Sequence, residues 1–121
     1  MAVVLIVEDT LTEAEIIGLT LQKAGFETIR ATSSEQAKMK LAQQKPDLIL
    51  LDVVLPGESG FELCRELKGE PETQNIPVVM CSTKDSEMDK FWGMKQGAAS
   101  YLIKPIVPDE LVRTVQLLVR G

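Results

Sequence analysis

The chain has 121 residues, 45% of them apolar and 26% charged, which suits one globular domain over residues 1–121 and leaves no room for a second. Thirteen Lys and Arg against eighteen Asp and Glu give a formal charge of −5, without one histidine. The acidic balance excludes the electrostatic footprint of a nucleic-acid binder, and zero histidine excludes Ser-His-Asp triads and His-ligated zinc.

Residues 3–7 form a β-rich apolar run that reads as a fully buried strand. The run is too short for a signal peptide or a membrane span, and no later run is long enough to cross a bilayer. With no export signal, the expected location is the cytoplasm. Thr10 and Glu13 have capping-box spacing and open a helix with Ile16, Ile17, Leu19, Thr20 and Leu21 near its inner side. Gly25 supplies a left-handed stop. Residues 26–31 give a second, shorter strand. Ser33 and Gln36 form another capping box before a helix that turns Ala37, the stem of Lys40 and Leu41 inward.

After Pro46, residues 48–51 make an apolar run closed by Asp52. Pro56-Gly57 marks a turn, and Phe61, Leu63, Cys64 and Leu67 give the third helix. Residues 69–77 form a polar loop. Residues 78–81 are a strand closed by Ser82, and Cys81 within it is a small buried hydrophobe. The two cysteines fit neither a disulfide framework nor a Cys-rich metal site. Residues 85–96 form a helix stopped by Gly97; packing accounts for Phe91, while Trp92 suits either packing or a partner patch. Residues 101–103 make the last strand, closed by Lys104-Pro105. Pro108 fits a first helical position, and Leu111, Val112, Val115 and Leu118 form the stripe of the last helix.

Five strands alternate with five helices, a (βα)5 pattern. Continuous apolar runs imply strands buried on both faces, hence an α/β fold with a doubly wound five-stranded parallel sheet. Ligands of such sheets sit beyond the C-terminal strand ends. Those ends carry Glu8-Asp9, Asp52, Ser82-Thr83 and Lys104. Three carboxylates on one rim repel one another unless a cation sits among them, and hard oxygen ligands suit Mg²⁺. A divalent ion, an ammonium and a hydroxyl together make a site for a phosphoryl group. Asp52 is then placed to be the nucleophile that receives it.

The sequence resembles a response-regulator receiver domain of the flavodoxin-like, CheY-like fold. The matching pieces are Leu5-Ile6-Val7-Glu8-Asp9, Pro46-Asp47-Leu48-Ile49-Leu50-Leu51-Asp52, Leu55-Pro56-Gly57-Glu58-Ser59-Gly60, Pro77-Val78-Val79-Met80-Cys81-Ser82 and Gly97-Ala98-Ala99-Ser100-Tyr101-Leu102-Ile103-Lys104-Pro105. They span the whole chain in order. The resemblance implies that Asp52 is the phosphoacceptor for a sensor histidine kinase or phosphotransfer protein. It implies direct Mg²⁺ ligation by Asp9, Asp52 and the Val54 backbone carbonyl, with Glu8 acting through water. Ser82 and Lys104 would contact phosphate, and Tyr101 would couple to Ser82 as a switch. Val54, Thr83 and Lys84 would tune access and rate. Departures from the common pattern are Thr83, Val54 and Ile106. Residues 82–85 and 89–98 are similar to receivers of the PilH, twitching-motility type. The face of the fourth helix, fifth strand and fifth helix, with Lys90, Met94 and Tyr101, would bind a downstream protein.

Other readings are weaker. An aspartyl-nucleophile phosphohydrolase places an acid two residues after its nucleophile, where this chain has Val54, and there is no room for a cap domain. A nucleotide or flavin module would need Gly-x-Gly-x-x-Gly after the first strand. A degenerate receiver used only for docking would not keep every acid, the hydroxyl and the lysine. The expectation is a signalling domain that assists its own phosphorylation and dephosphorylation, not an enzyme, with neither nucleic-acid binding nor membrane insertion.

Overall fold

The computed structural model describes residues 1–120, the side chain of Arg120 excepted. The elements in order are β1 Val3–Val7, α1 Leu11–Lys23, β2 Glu27–Ala31, α2 Ser34–Gln43, β3 Leu48–Asp52, α3 Gly60–Gly69, β4 Val78–Ser82, α4 Glu87–Lys95, β5 Ser100–Ile103 and α5 Pro108–Arg120. All strand pairs are parallel, in the order β2-β1-β3-β4-β5. The order reverses between β1 and β3, so a crevice opens above their C-terminal ends.

Alternation along the strands sorts side chains to two faces. Leu5, Val7, Ile49, Leu51, Val78 and Met80 pack with Leu41, Leu63 and Leu67 on one face. Val4, Ile6, Leu48, Leu50 and Val79 pack with Ile17, Leu21, Leu111 and Val115 on the other. Every residue of β1, β3 and β4 is buried. The edge strand β2 is mostly half-buried or exposed, which explains its weaker apolar signal. Register sets Asp52 beside Cys81 and Ser82 beside Ile103. The functional strand ends therefore lie on one rim.

The helix ends correct two expectations. Thr10 is the N-cap of α1, but its side chain makes no capping bond. Glu13, the expected capping partner, is drawn to Lys104 instead. Ser33 does cap α2 by accepting from the Gln36 amide, while the Gln36 side chain accepts from the Thr32 amide rather than that of Ser33. A reciprocal capping box is formed instead by Ser86 and Asp89 at the start of α4. Gly25 has φ 96°, the left-handed conformation expected after α1.

Burial corrects three more. Ala14, Ile17, Gly18 and Leu21 face the sheet from α1, whereas Ile16 and Leu19 are 57% and 56% exposed. Their apolar character widened the predicted stripe beyond the face that packs. Phe91 is 61% exposed and does not pack into the core; its ring lies 5.8 Å from the Lys95 ammonium. Glycine at position 93, not an aromatic, is the buried residue of α4.

Candidate phosphoryl site

The rim collects the strand-end residues around Lys104. The Lys104 Nζ lies 2.6 Å from Glu8 Oε1, 3.0 Å from Asp52 Oδ2 and 2.8 Å from Glu13 Oε1. Lys104 follows β5, and its amide donates to the Ser82 carbonyl at 2.9 Å, which anchors its backbone to β4. The second oxygen of each inner carboxylate is also held. Glu8 Oε2 accepts from the Thr10 amide at 3.2 Å, and Asp52 Oδ1 from the Val54 amide at 3.2 Å. Glu8, Asp52 and Ser82 are buried, while Asp9 is exposed at the mouth.

Burial pushes the Glu8 carboxyl above its ordinary range; the Lys104 hydrogen bond opposes this and the Asp52 charge adds to it. Burial would lower the Lys104 ammonium, but its contacts with the accepting carboxylates of Glu13, Glu8 and Asp52 outweigh this and raise it. The site is thus a fixed cation held by more negative charge than it can neutralise.

Glu8, Asp9 and Asp52 each present a carboxylate oxygen, all within 4.8 Å of one another. Three hard oxygen donors at that spacing, two of them on buried strand ends, fit a divalent cation of the Mg²⁺ or Mn²⁺ kind. The excess negative charge is the reason such an ion would be stabilising there.

The backbone below Asp52 leaves no slack. Gly60 donates its amide to the Val53 carbonyl at 2.8 Å. A Cβ at Gly60 would overlap the Asp52 carbonyl oxygen and crowd the Val53 Cα. The N-terminus of α3 therefore rests directly on the peptide that carries Asp52.

Ser82 Oγ accepts from the Lys84 amide at 3.2 Å, and Tyr101 donates its hydroxyl to the Lys84 carbonyl at 2.7 Å. Ser82 and Tyr101 thus meet on opposite groups of one residue. Thr83 is exposed and shares a groove of about 440 Å³ with Glu13, Ile16, Lys104 and Ile106. Val54 is exposed on the rim beyond Asp52. Trp92 is also exposed, which places it on the surface of α4. Glu13 is the site residue that sequence reasoning missed. Its spacing from Thr10 pointed to a cap, and nothing local indicates a partner beyond the last strand.

Residues 4–116 match the response regulator receiver domain family. The protein PilH of Pseudomonas aeruginosa is 40% identical over 121 residues, all of both chains. The chemotaxis protein CheY4 of Vibrio cholerae superposes with a TM-score of 0.91 at 32% identity, over 98% of each chain. The Mn²⁺-bound form of the response regulator Rcp1 superposes with a TM-score of 0.81 at 30% identity, over 98% of this chain and 91% of that one. With this fold, this acidic pocket and a match running from the first strand into the last helix, the chain belongs to the response regulator receiver domain family, the phosphoacceptor signalling module of two-component systems.

Proposed function

We propose that this receiver accepts a phosphoryl group on Asp52 from a histidine kinase or phosphotransfer protein and signals through a protein-binding face. The observation that carries the reading is the placement of Asp52. Its Oδ2 lies 3.0 Å from Lys104, its Oδ1 faces the Val54 amide, and Glu8 and Asp9 stand beside it. A carboxylate oxygen of Asp52 attacks phosphorus as the bond to the donor imidazole nitrogen breaks, and the electron pair leaves with the imidazole. Lys104 and Ser82 hold the oxygens of the transferred group, the lysine by charge and the hydroxyl by donating a hydrogen bond. Glu8, Asp9, Asp52 and the Val54 carbonyl are the groups that would hold Mg²⁺. When bound, that ion supplies positive charge against the phosphoryl oxygens.

Ser82 gives up its bond from the Lys84 amide to reach the phosphoryl group. Tyr101, anchored to the carbonyl of the same residue, then loses its fixed seat and turns inward, which changes the surface of α4, β5 and α5. Val54, Thr83 and Lys84 border the approach and set the rate. The likeness to PilH over the full length of both chains supports a role in pilus-based motility or taxis, in the cytoplasm.

Intact-mass measurement with a small acyl phosphate donor and Mg²⁺ tests the reading. The parent gains one phosphoryl group per chain and loses it slowly; Asp52→Asn gains none. An undiminished mass shift in the variant overturns the assignment, and many turnovers per chain would favour a phosphohydrolase.

A further inference from the structure

Hydrogen bonds from Lys104 go to Glu8 and Asp52. Glu13 stands 2.8 Å from the same nitrogen as an ion pair, and its side chain is 41% exposed. Its carboxylate is therefore held close to Asp52 with lone pairs left for another donor. It also lines the groove of about 440 Å³ whose walls include Ile16, Ile17, Pro105 and Ile106. Lys104 is the other charged group of that groove, and only 8% of its side chain is exposed. The charge that the groove presents to an incoming molecule is thus negative, set in a mostly apolar wall. Asp52 Oδ2 and Glu13 Oε1 meet on one nitrogen, at 3.0 and 2.8 Å.

We propose that Glu13 selects among phosphodonors: its carboxylate accepts a hydrogen bond from an imidazole leaving group and repels a carboxylate leaving group. The proposal rests on Asp52 being the phosphoacceptor. A phosphoimidazole reacts with its second ring nitrogen protonated. An Asp52 carboxylate oxygen forms the new bond to phosphorus and the P–N bond breaks. The electron pair stays on the ring, which leaves as neutral imidazole and keeps the proton on its second nitrogen. Glu13 holds that N–H and takes no proton. Such a charge-assisted bond favours the protonated, reactive donor, and the apolar walls of the groove suit the faces of the ring. With an acyl phosphate the P–O bond breaks instead and the electron pair leaves on a carboxylate, so negative charge grows beside Glu13. Lys104 serves both donors alike at the phosphoryl oxygens. Glu13 is therefore a specificity-determining residue, which alters the donor that reacts best and not the capacity of Asp52 to react.

The test is the second-order rate of phosphorylation at saturating Mg²⁺ with two donors, phosphoimidazole and acetyl phosphate, read by intact mass. The ratio of the two rates decides, because a change in Lys104, in the ion or in the fold acts on both donors together. Glu13→Gln should lower the ratio of phosphoimidazole to acetyl phosphate at least about threefold, as the loss of one charge-assisted hydrogen bond at a partly exposed site implies. Glu15→Gln removes the same charge from an exposed position on α1 and should keep the parent's ratio. A smaller fall in Glu13→Gln, an unchanged ratio or a rise overturns the role of Glu13. An equal fall in Glu15→Gln also overturns it, since the net charge of the chain would then explain the effect. Asp52→Asn should gain no phosphoryl group from either donor. If it gains none while Glu13→Gln keeps the parent's ratio, the role of Glu13 falls and the acceptor assignment stands. If Asp52→Asn is labelled as fast as the parent, the acceptor reading itself fails and takes the proposal with it.

Discussion

Two lysines in this molecule each gather carboxylates from separate elements, and the contrast between them shows what burial adds. Lys38 on α2 lies 3.2 Å from Glu58 and 2.6 Å from Glu66 on α3. Lys104 gathers Glu8, Glu13 and Asp52 at similar distances. The Lys38 side chain is 46% exposed and that of Lys104 only 8%. In the first cluster water reaches Lys38 and Glu66, so that pair can relax without much cost, although Glu58 Oε1 beside them is buried. The second is held by strand ends that cannot move without disturbing the sheet, and its charges have little water to turn to. The same residue types thus make a surface brace in one place and a buried, strongly charged pocket in the other.

Breaking the two clusters should separate them most clearly. Lys104→Met leaves Glu8 and Asp52 buried with no cation and should cost about 3 kcal/mol of stability. Lys38→Met removes a screened pair and should cost less than about 1 kcal/mol. Urea unfolding of both variants without divalent ions checks this, and equal losses would mean that the rim is far wetter than its burial indicates. A smaller effect concerns the open side of the buried cluster. Thr83 is β-branched and stiff about its first torsion, and it borders the groove beside Lys104. Thr83→Ala should accelerate both phosphorylation by a small donor and loss of the group. A tenfold change needs only about 1.4 kcal/mol at the transition state. Slower kinetics in both directions would mean that the Thr83 hydroxyl assists.

The smallest effect reads the frame beneath each cluster through a thiol. Cys81 lies beside Asp52 in β4, and Cys64 lies on α3, the helix that bears Glu66. Burial pushes the Cys64 thiol up to about 11, and burial raises Cys81 as well. Both pKa values are higher in the folded state than in the unfolded one. The stability tied to the neutral thiols is therefore fully present below their ordinary value and is lost as pH rises through the folded value, about 11 for Cys64. A short alkylation pulse at pH 9, read by mass, should leave both cysteines unmodified, and Cys64 should react first as the pH approaches 11. Rapid labelling of Cys81 at pH 9 would show that the sheet beside Asp52 opens readily.

Much of this was legible from the residues. The buried strands announce themselves as continuous apolar runs, and the rule that ligands sit at C-terminal strand ends is enough to gather Glu8, Asp9, Asp52, Ser82 and Lys104 on one rim. Glu13 was not legible. A capping box and a long-range ion pair demand the same carboxylate, and the local pattern cannot show that Lys104 competes for it. Ile16, Leu19 and Phe91 failed for another reason. Periodicity says which residues share a helix face, but not how much of that face a neighbour covers, and α1 and α4 are both covered narrowly.

The narrow seat of α4 has a dynamic consequence. Its one buried residue is Gly93, where an added Cβ would come within 2.9 Å of the Met80 sulfur and the Tyr101 ring. Met88, Phe91, Trp92 and Met94 all face outward. A helix fastened by a side-chainless contact has little apolar area holding it to the sheet, so it can shift or open at a free energy well below that of global unfolding. The ring that Gly93 rests on belongs to Tyr101, whose hydroxyl is tied to the Lys84 carbonyl, while the Lys84 amide donates to Ser82 on the rim. This thinly seated helix therefore lies over the residue that connects it, through Lys84, to the rim, so a rearrangement at Ser82 has a short path to the outer surface of α4.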